Sequence, residues 1–389
     1  MREHWGLDER VIFLNHGSFG ACPTAVLREQ ARLREQMEAE PVRFMTREVP
    51  ALLAAAREAL GLFLGAPAAE LAFVPNATTG VNAVIRSLPL HAGDEIVVTD
   101  HEYNACRNVV DFVAERRGAR VVVATIPLPV AGPAAVVERV LGCLSPKTRL
   151  ILIDHVTSQT GLVLPVETIA REALARGIDV LIDGAHAPGM LPLDLNSLGP
   201  VFYTGNLHKW VCAPKGAAFL RVPLDRQAEI RPPVISHGAN APTHAKSRFR
   251  FEFDWCGTDD PTARLTVPRA IEFMGGLHPG GWQELMRRNR ELALEGRAIV
   301  SAALDMPLPA PAEMIGSLGA SFLPDRRDAA SFSAFDTDPL QDRLLTEFGI
   351  EVPIMFWPTA PKRLIRVSAQ AYNRVEDYRA LAEALRLAL

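Results

Sequence analysis

Short apolar strands that alternate with helix-like segments occupy the centre of the chain. Strand-like runs, most of them rich in β-branched residues, recur at 71–74, 95–99, 120–126, 149–154, 179–182, 201–204 and 216–222. Helix-like stretches at 104–117, 134–144 and 167–176 separate several of them. Strands that are apolar along nearly their whole length are covered on both faces, as in parallel sheets. The pattern predicts an α/β fold: a mostly parallel sheet of the seven-stranded type with helices on both faces.

The chain is long enough for two domains, and its character changes after about residue 261. At 389 residues it exceeds what one typical core supports. A proline-rich connection at 306–311 and a closing helix at 375–387 lie in this second part. We therefore predict a large domain over residues 21–260 and a smaller α+β domain over 261–389. An N-terminal segment, 1–20, is expected to pack with the small domain.

Composition excludes several classes of function. A net charge of -4 argues against a nucleic-acid partner, because such binding needs concentrated positive charge. No apolar run approaches membrane-spanning length, and the charged start lacks the apolar stretch of a secretory signal. The five cysteines are scattered, which favours reduced thiols in the cytoplasm over a disulfide framework or a metal site. We also find no HExxH, GxSxG, Walker A or GxGxxG motif.

Two residues carry the most specific chemical signal. Asp183 ends an apolar strand, and Lys209 follows the next strand along the chain, between Leu207 and Trp210. Lysine is seldom buried, so a lysine in such apolar company needs a reason. Pyridoxal phosphate chemistry requires both residue types: an amine that forms a Schiff base with the cofactor aldehyde, and a carboxylate that keeps the pyridine nitrogen protonated. The pair predicts pyridoxal 5'-phosphate as cofactor.

Small and hydroxylated residues open a helix after the strand at 71–74. Free N–H groups and the helix dipole suit a phosphate there, although a simple helix N-cap by Asn76 or a threonine explains the same residues. Asn206 and His208, just before the lysine, are further candidates for the phosphate. His186 follows Asp183 closely and is a candidate for the ring hydroxyl of the cofactor.

Two more strand ends carry polar side chains at the edge where α/β folds place ligands. In the first, His101 could stack over a flat pyridine ring and Tyr103 could supply a proton or a phenol hydrogen bond. In the second, Ser158 could contact the cofactor hydroxyl or the substrate. The alternatives are half-buried loop residues in the first case and an ordinary turn in the second.

Taken together, these segments resemble the class-V aminotransferase family of pyridoxal phosphate enzymes, fold type I, with an aspartate aminotransferase-like architecture. Within that family the chain is most similar to isopenicillin N epimerase-like proteins. The resemblance spans essentially the whole chain, with the motifs in consistent order. It rests on segments 14–20, 100–105, 181–188, 205–210 and 366–373.

The resemblance implies a role for each matching residue. Lys209 matches the lysine that binds the cofactor aldehyde, Asp183 the partner of the pyridine nitrogen, and His101 the side chain stacked on the ring. His186 matches the contact to the ring hydroxyl. The phosphate cup corresponds to Ala77, Thr78, Asn206 and His208, completed by Thr258 from the neighbouring subunit of a homodimer.

The resemblance also implies where the substrate binds. Arg366 matches the arginine that grips the substrate α-carboxylate, where a bidentate guanidinium fits well. Asn15 and His16 lie in the segment that lines the substrate entrance in the family. Arg43 and Arg47 could bind a second carboxylate, with a solvated helix end as the alternative.

A separate stretch, 246–253, alternates charged and aromatic residues. Nucleic-acid binding is one interpretation. The period of two favours instead a half-buried strand in a dimer arm.

The expected enzyme is a homodimer that acts on an amino acid through an external aldimine and a Cα carbanion. Return of the proton to the opposite face gives epimerisation or racemisation, with Lys209 and either Tyr103 or a histidine as the acid/base pair. The alternatives are a C–S β-lyase or cysteine desulfurase-like enzyme, and then an aminotransferase. Residues 349–366, where desulfurases of the family carry a nucleophilic cysteine, contain none. A binding protein without turnover is the rival from another class, and the complete lysine, aspartate and arginine set argues against it.

Overall fold

The computed structural model describes residues 1–242, 247–326 and 337–389. Its strands are β1 Ile12–Phe13, β2 Leu71–Val74, β3 Glu95–Thr99, β4 Arg120–Ala124, β5 Thr148–Asp154, β6 Asp179–Asp183, β7 Phe202–Asn206, β8 Ala218–Arg221, β9 Leu318–Leu323, β10 Ile350–Glu351, β11 Ile354–Phe356 and β12 Arg363–Ser368. Its α-helices are α1 His16–Phe19, α2 Thr24–Ala39, α3 Pro41–Arg43, α4 Val49–Leu64, α5 Ala77–Ser87, α6 Asn104–Arg117, α7 Pro133–Leu141, α8 Val166–Leu174, α9 Arg248–Asp254, α10 Thr262–Leu265, α11 Val267–Gly275, α12 Gly281–Ala303, α13 Pro339–Phe348 and α14 Val375–Ala388. No helix in these described ranges is both long and apolar enough to cross a membrane.

A seven-stranded sheet forms the centre of the molecule, in the order β2-β8-β7-β6-β5-β3-β4. The pairs between β4, β3, β5, β6 and β7 are parallel, whereas β8 runs antiparallel to both β7 and β2. The predicted α/β fold with a mostly parallel sheet of this size is confirmed.

Successive residues of the central strands pack on opposite faces of this sheet, as the strand geometry requires. In β3, Val97 joins one apolar cluster, while Ile96 and Val98 join another. The first cluster includes residues of α4, α7 and α8, and the second includes residues of α5 and α6. Helices therefore cover both faces, which is why the strands read as nearly continuous apolar runs.

The later part of the chain forms a second, smaller sheet. β12 lies in its middle and pairs antiparallel with β11 on one side and with β9 on the other. Helices α12 and α14 pack nearby and contribute to a separate apolar cluster. The N-terminal segment reaches this region: β1 pairs in parallel with β10, and the Ser368 N–H donates to the Leu14 carbonyl at 2.9 Å. The division of the chain at residues 20 and 260 stays a prediction.

The strand predicted at 246–253 is wrong over the residues that the structure describes. Residues 248–254 form helix α9, and Lys246 lies outside the described ranges. The Ser247 side chain caps the helix by accepting from the Arg250 N–H. Phe249 and Phe253 lie one turn apart with ring centroids at 4.6 Å. Residues four apart share a strand face as well as a helix face, so alternation alone did not separate the two structures.

Candidate active site

A cavity of about 260 Å³ opens at the carboxyl edge of the central strands. Parallel strands end at a common edge, so the segments that follow β3, β5, β6 and β7 meet there. Nine predicted site residues line the cavity: Ala77, Thr78, Tyr103, Ser158, Asp183, His186, Asn206, His208 and Lys209. Five further residues line it as well: Ser18, Phe19, Asn76, Asp154 and Ala185.

Lys209 is half-buried on the connection that leaves β7. Burial, together with the positive charge of Arg366, lowers the pKa of its amine to about 8. Its carbonyl oxygen accepts a hydrogen bond from His16 Nε2 at 3.0 Å. A Cβ at Gly20 would collide with the neighbouring His208 carbonyl oxygen, so the N-terminal segment can approach the lysine connection this closely because residue 20 is glycine.

His186 orients the lysine amine. The Trp210 indole N–H lies 3.4 Å from His186 Nδ1, and Lys209 Nζ lies 3.0 Å from His186 Nε2. An indole N–H can only donate, which makes Nδ1 the acceptor and leaves the ring proton on Nε2. Burial lowers the pKa of His186 well below its ordinary value, so the ring is neutral. A neutral Lys209 amine can then accept from it.

Asp183 ends β6 with 1% of its surface exposed. One carboxyl oxygen accepts the Ala185 N–H at 2.9 Å, and the other accepts the Cys106 thiol at 3.2 Å. Burial raises the pKa of Asp183, because its charge is poorly solvated. A buried carboxylate in this position is stabilised by a cation placed in the cavity, which is what a protonated pyridine nitrogen provides.

The start of α5 forms the part of the cavity that suits a phosphate. Asn76 caps the helix by accepting the Thr79 N–H at 2.8 Å, and the Ala77 N–H donates to Asn206 Oδ1 at 2.8 Å. The positive end of the helix dipole points at the cavity, beside the Thr78 hydroxyl. His208 Nδ1 donates to the Ala217 carbonyl, and burial lowers the pKa of His208 to about 4, so this histidine is a neutral lining residue.

Arg366 lies on β12, with 3% of its surface exposed, immediately behind the cavity wall. Its guanidinium donates to the Ser18 hydroxyl at 3.0 Å and to the Ser158 carbonyl, two residues that line the cavity. No acidic side chain in the described ranges pairs with it, and its Nε has no hydrogen-bond partner among those residues. Burial lowers its pKa to about 10, which still leaves it charged at neutral pH. A buried cation of this kind calls for an anionic ligand.

The structure does not bring His101 to the cavity. Its side chain is fully buried and its two ring nitrogens bond Thr160 Oγ1 at 2.8 Å and the Ile126 carbonyl at 2.7 Å. The ring packs on Trp357, with centroids at 4.4 Å. Because the chain turns after β3, the aromatic ring that lines the cavity belongs to Tyr103, two residues later. The assignment of ring stacking to His101 is not supported by this geometry.

Four other candidates lie outside the cavity wall. Asn15 and His16 are buried just behind it: Asn15 Nδ2 donates to Glu351 at 2.8 Å, and His16 Nδ1 contacts the Tyr372 hydroxyl at 2.7 Å. Arg47 and Thr258 are exposed and do not line the cavity of this chain. Their roles stay predictions.

Arg43, the companion of Arg47 in the predicted second carboxylate site, pairs with Glu48 at 2.9 Å on the surface. That geometry matches the alternative of a solvated helix end.

Three buried residues around Asp183 were not among the site residues predicted from the sequence. Asp154 ends β5 in register with Asp183 and lines the cavity. Glu102 and Cys106 lie behind it, and one ligand atom from each of Glu102, Cys106 and Asp183 lies within 4.8 Å of the others. The signal for Asp154 was present, since two neighbouring strands both end in aspartate. Glu102 and Cys106 had no comparable signal.

These observations fit pyridoxal phosphate: an amine, a buried carboxylate and a helix N-terminus surround one cavity. The family model for class-V aminotransferases matches residues 13–275. The chain is 38% identical to isopenicillin N epimerase of Amycolatopsis lactamdurans, over 99% of this chain and 97% of the relative. It is 26% identical to L-cysteine desulfhydrase of Arabidopsis thaliana, over 96% of this chain and 87% of the relative.

Among solved structures, a mutant of C-DES with glycine covalently linked to its PLP cofactor superimposes with a TM-score of 0.81. It shares 23% sequence identity and covers 99% of this chain and 98% of its own. At this level of identity the match establishes the fold.

Proposed function

This chain belongs to the class-V aminotransferase family, whose enzymes use pyridoxal phosphate, and we propose that it epimerises or racemises an amino acid at Cα. The observation that carries the proposal is the pair Lys209 and Tyr103 in one cavity. Lys209 follows β7 and Tyr103 follows β3, with β6 and β5 between those strands in the sheet. Inversion at carbon needs one group that removes a proton and a second that returns it from the other side.

The cofactor would be held by residues that already surround the cavity. Asp183 would bind the pyridine nitrogen, Lys209 the aldehyde carbon, and the start of α5 with Asn206 the phosphate. When bound, pyridoxal phosphate supplies an electron sink that makes the Cα–H bond of an amino acid acidic. Tyr103, which lines the cavity, would supply the aromatic ring beside it in place of His101.

The two acid/base groups have complementary proton affinities. A pKa of about 8 leaves part of the Lys209 amine uncharged near neutral pH, so it can accept a proton from Cα. Burial raises the pKa of Tyr103 above its ordinary value of 10.0, and the negative charge of Asp183 adds to this shift. The phenol therefore keeps its proton and can donate it to Cα.

Arg366 would bind the substrate α-carboxylate. Its guanidinium is buried and has no acidic partner in the described ranges, and it contacts Ser18 and Ser158 on the cavity wall. A charge-assisted bidentate contact fixes both position and orientation of the substrate. The substrate class is accordingly an α-amino acid with a free carboxylate.

A C–S β-lyase is the second candidate, and the similarity to an L-cysteine desulfhydrase favours it over the third, transamination. A persulfide-forming desulfurase is disfavoured, because none of the cavity residues is a cysteine. The five cysteines are Cys22, Cys106, Cys143, Cys212 and Cys256. Sulfur release, if it occurred, would proceed by direct β-elimination.

We further propose a cytoplasmic homodimer in which Thr258 of one subunit completes the phosphate site of the other. Support comes from the exposed Thr258 and from a largely apolar cavity of about 290 Å³ beside the start of α5, which Val234 and Cys256 help to line. Val234 is 56% exposed in the single chain, as a residue covered by a second subunit would be. The five unpaired cysteines suit a reducing compartment.

One assay separates the candidate reactions. A panel of L-amino acids, including cysteine, is incubated with the holoenzyme in D₂O, and chirality, Cα deuteration, pyruvate and sulfide are measured together. Epimerisation predicts deuterium at Cα with loss of chirality and no pyruvate. Pyruvate with sulfide would replace the proposal by the lyase, and keto-acid formation without sulfide by transamination.

A further inference from the structure

An acid and a thiol form a second layer behind Asp183. Glu102 follows β3, and Cys106 lies in the first turn of α6. Glu102 is 6% exposed and Cys106 0%, and neither lines the cavity. Their side-chain ligand atoms lie within 4.8 Å of each other and of an Asp183 carboxyl oxygen. The second layer is therefore close to Asp183, the residue assigned above to the pyridine nitrogen.

Glu102 is a buried carboxyl group without a hydrogen-bond partner. Neither of its oxygens is bonded within the part of the chain that the structure describes. An ionised carboxylate in that position costs several kcal/mol. Burial, and then the charge of Asp183, raise the pKa of Glu102 well above its ordinary value. The charged groups facing this space are Asp183 from β6, Asp154 from β5, Arg107 from α6 and Lys209 after β7. Glu102 therefore holds its proton.

The Cys106 thiol is hydrogen-bonded to Asp183. The thiol donates to Asp183 Oδ2 at 3.2 Å, while the Ala185 N–H donates to Oδ1 at 2.9 Å. Burial and the neighbouring acids raise the pKa of Cys106 well above its ordinary value. The group remains a thiol, which makes it a hydrogen-bond donor and not a nucleophile.

We propose that the Cys106 thiol is a positioning residue that keeps Asp183 ionised and aimed at the pyridine nitrogen of the cofactor, while Glu102 stays a neutral carboxylic acid behind them. Hydrogen-bond donors stabilise the charged form of a carboxylate, whereas a second negative charge nearby favours its protonation. The Cys106 thiol supplies that donor, and a neutral Glu102 adds no second charge. In the pair between Asp183 and the ring nitrogen, the proton would then stay on nitrogen. The inference rests on the assignment of Asp183 made under the proposed function.

A metal ion is the competing interpretation of the same atoms. Two carboxylates and a thiolate are ligands that zinc accepts. Such an ion would occupy the Asp183 oxygen that already accepts the Cys106 thiol, and the thiol would have to lose its proton. Metal analysis of the purified holoenzyme therefore belongs to the test.

The test reads the proton on the ring nitrogen directly, through the ¹⁵N chemical shift of ¹⁵N-labelled cofactor bound to the folded protein. Cys106→Ser keeps a neutral donor and Cys106→Ala removes it, whereas Glu102→Gln and Glu102→Leu both leave position 102 uncharged. Matched controls are Glu115→Leu, on the exposed side of α6, and Cys143→Ala. Thermal unfolding checks folding, and Glu102→Met replaces Glu102→Leu if leucine does not fold.

We expect the native protein, Cys106→Ser, both Glu102 variants and both controls to show a protonated ring nitrogen. Cys106→Ala should shift the signal toward the unprotonated value and weaken cofactor binding about threefold to tenfold, as for one modest hydrogen bond. A shift toward the unprotonated value in Glu102→Gln and Glu102→Leu would show that Glu102 is ionised and would overturn the proposal. So would stoichiometric zinc, or a protonated nitrogen in Cys106→Ala.

Asp183→Asn separates failure of this inference from failure of the proposed function. If the ring nitrogen stays protonated in Asp183→Asn, Asp183 is not its partner and the proposed assignment of Asp183 fails. If the nitrogen loses its proton in Asp183→Asn but keeps it in Cys106→Ala, the assignment of Asp183 stands and only the role of the second layer is overturned.

Discussion

Burial shifts the proton affinities of the cavity residues in opposite directions. The lysine loses its proton more readily than a solvated lysine, with a pKa of about 8 for Lys209, whereas the raised pKa of Tyr103 keeps the phenol protonated. Both pKa shifts have the same cause, because a poorly solvated site disfavours the charged form of either side chain. An amine and a phenol in one cavity therefore become a base and an acid at the same pH.

The first prediction concerns pH. Only the uncharged Lys209 amine can accept a proton, so kcat should rise with pH up to about 8 and level off above it. The raised pKa of Tyr103 places the loss of the phenol proton, and hence a falling limb, above its ordinary value of 10.0. Initial epimerisation rates at saturating substrate give this profile. A rate that is flat or falls between about pH 6 and 8 would contradict the role of Lys209.

The second prediction separates the acid from the ring. Tyr103→Phe keeps an aromatic ring in the cavity and removes the phenol proton. Epimerisation should fall by about 10²- to 10⁴-fold, the usual contribution of a general acid or base, while Cα deuteration with retained configuration continues through Lys209. Polarimetry and mass spectrometry on the same sample report both. Equal loss of exchange and inversion would assign the phenol to another role.

The third prediction concerns substrate capture. Arg366→Ala removes a charge-assisted partner for the α-carboxylate, which is typically about 1.5–3 kcal/mol, so KM should rise about 10- to 150-fold. Arg379→Ala, on the exposed face of α14, is the control. Steady-state kinetics and substrate binding to the holoenzyme measure the effect. Unchanged affinity in a folded variant excludes the role.

Among the elements, the start of α5 depends on a single cap. Asn76 accepts the N–H of Thr79 through its side chain, and its own backbone is extended, so it satisfies one of the free donors of the first turn. The following Ala77 N–H is held by Asn206 from β7. The same turn thus serves the helix and orients the groups that face the phosphate.

The fourth prediction tests this cap. Asn76→Ala should destabilise the cofactor-free protein by about 0.5–2 kcal/mol, whereas Asn76→Ser, which can still cap, should lose less. Cofactor binding should weaken in the same order, because the first turn frays. Denaturant unfolding and cofactor titration of both variants provide the measurement. A serine variant as impaired as alanine would mean that the amide contacts the ligand itself.

For the whole molecule, the N-terminal segment links the two sheets to the active site. β1 pairs with β10 next to the small sheet, and a few residues later His16 supports the backbone of Lys209. Arg366, on β12, reaches the cavity wall through Ser18 of the same segment. The site is therefore assembled from distant parts of the chain.

The fifth prediction concerns the proposed homodimer. Sedimentation should show a dimer, and Lys209→Ala and Thr258→Ala should each impair turnover as homodimers. When the two variants are unfolded and refolded together, mixed dimers regain one intact site, since one subunit supplies the lysine and the other the threonine. Active monomer, or no recovery in confirmed mixed dimers, would refute the shared site.

The sequence by itself determined the sheet, its covering helices and the chemical pair Asp183 and Lys209, because strand patterning and residue type are local properties. Only the tertiary structure decided which side chains after β3 face the cavity: His101 turns inward to Thr160 and Ile126, whereas Tyr103 lines the site. It likewise brought Glu102 behind Asp183. The physical reason is that the direction of a side chain in a connection depends on what packs around it, and periodicity along the chain does not contain that information.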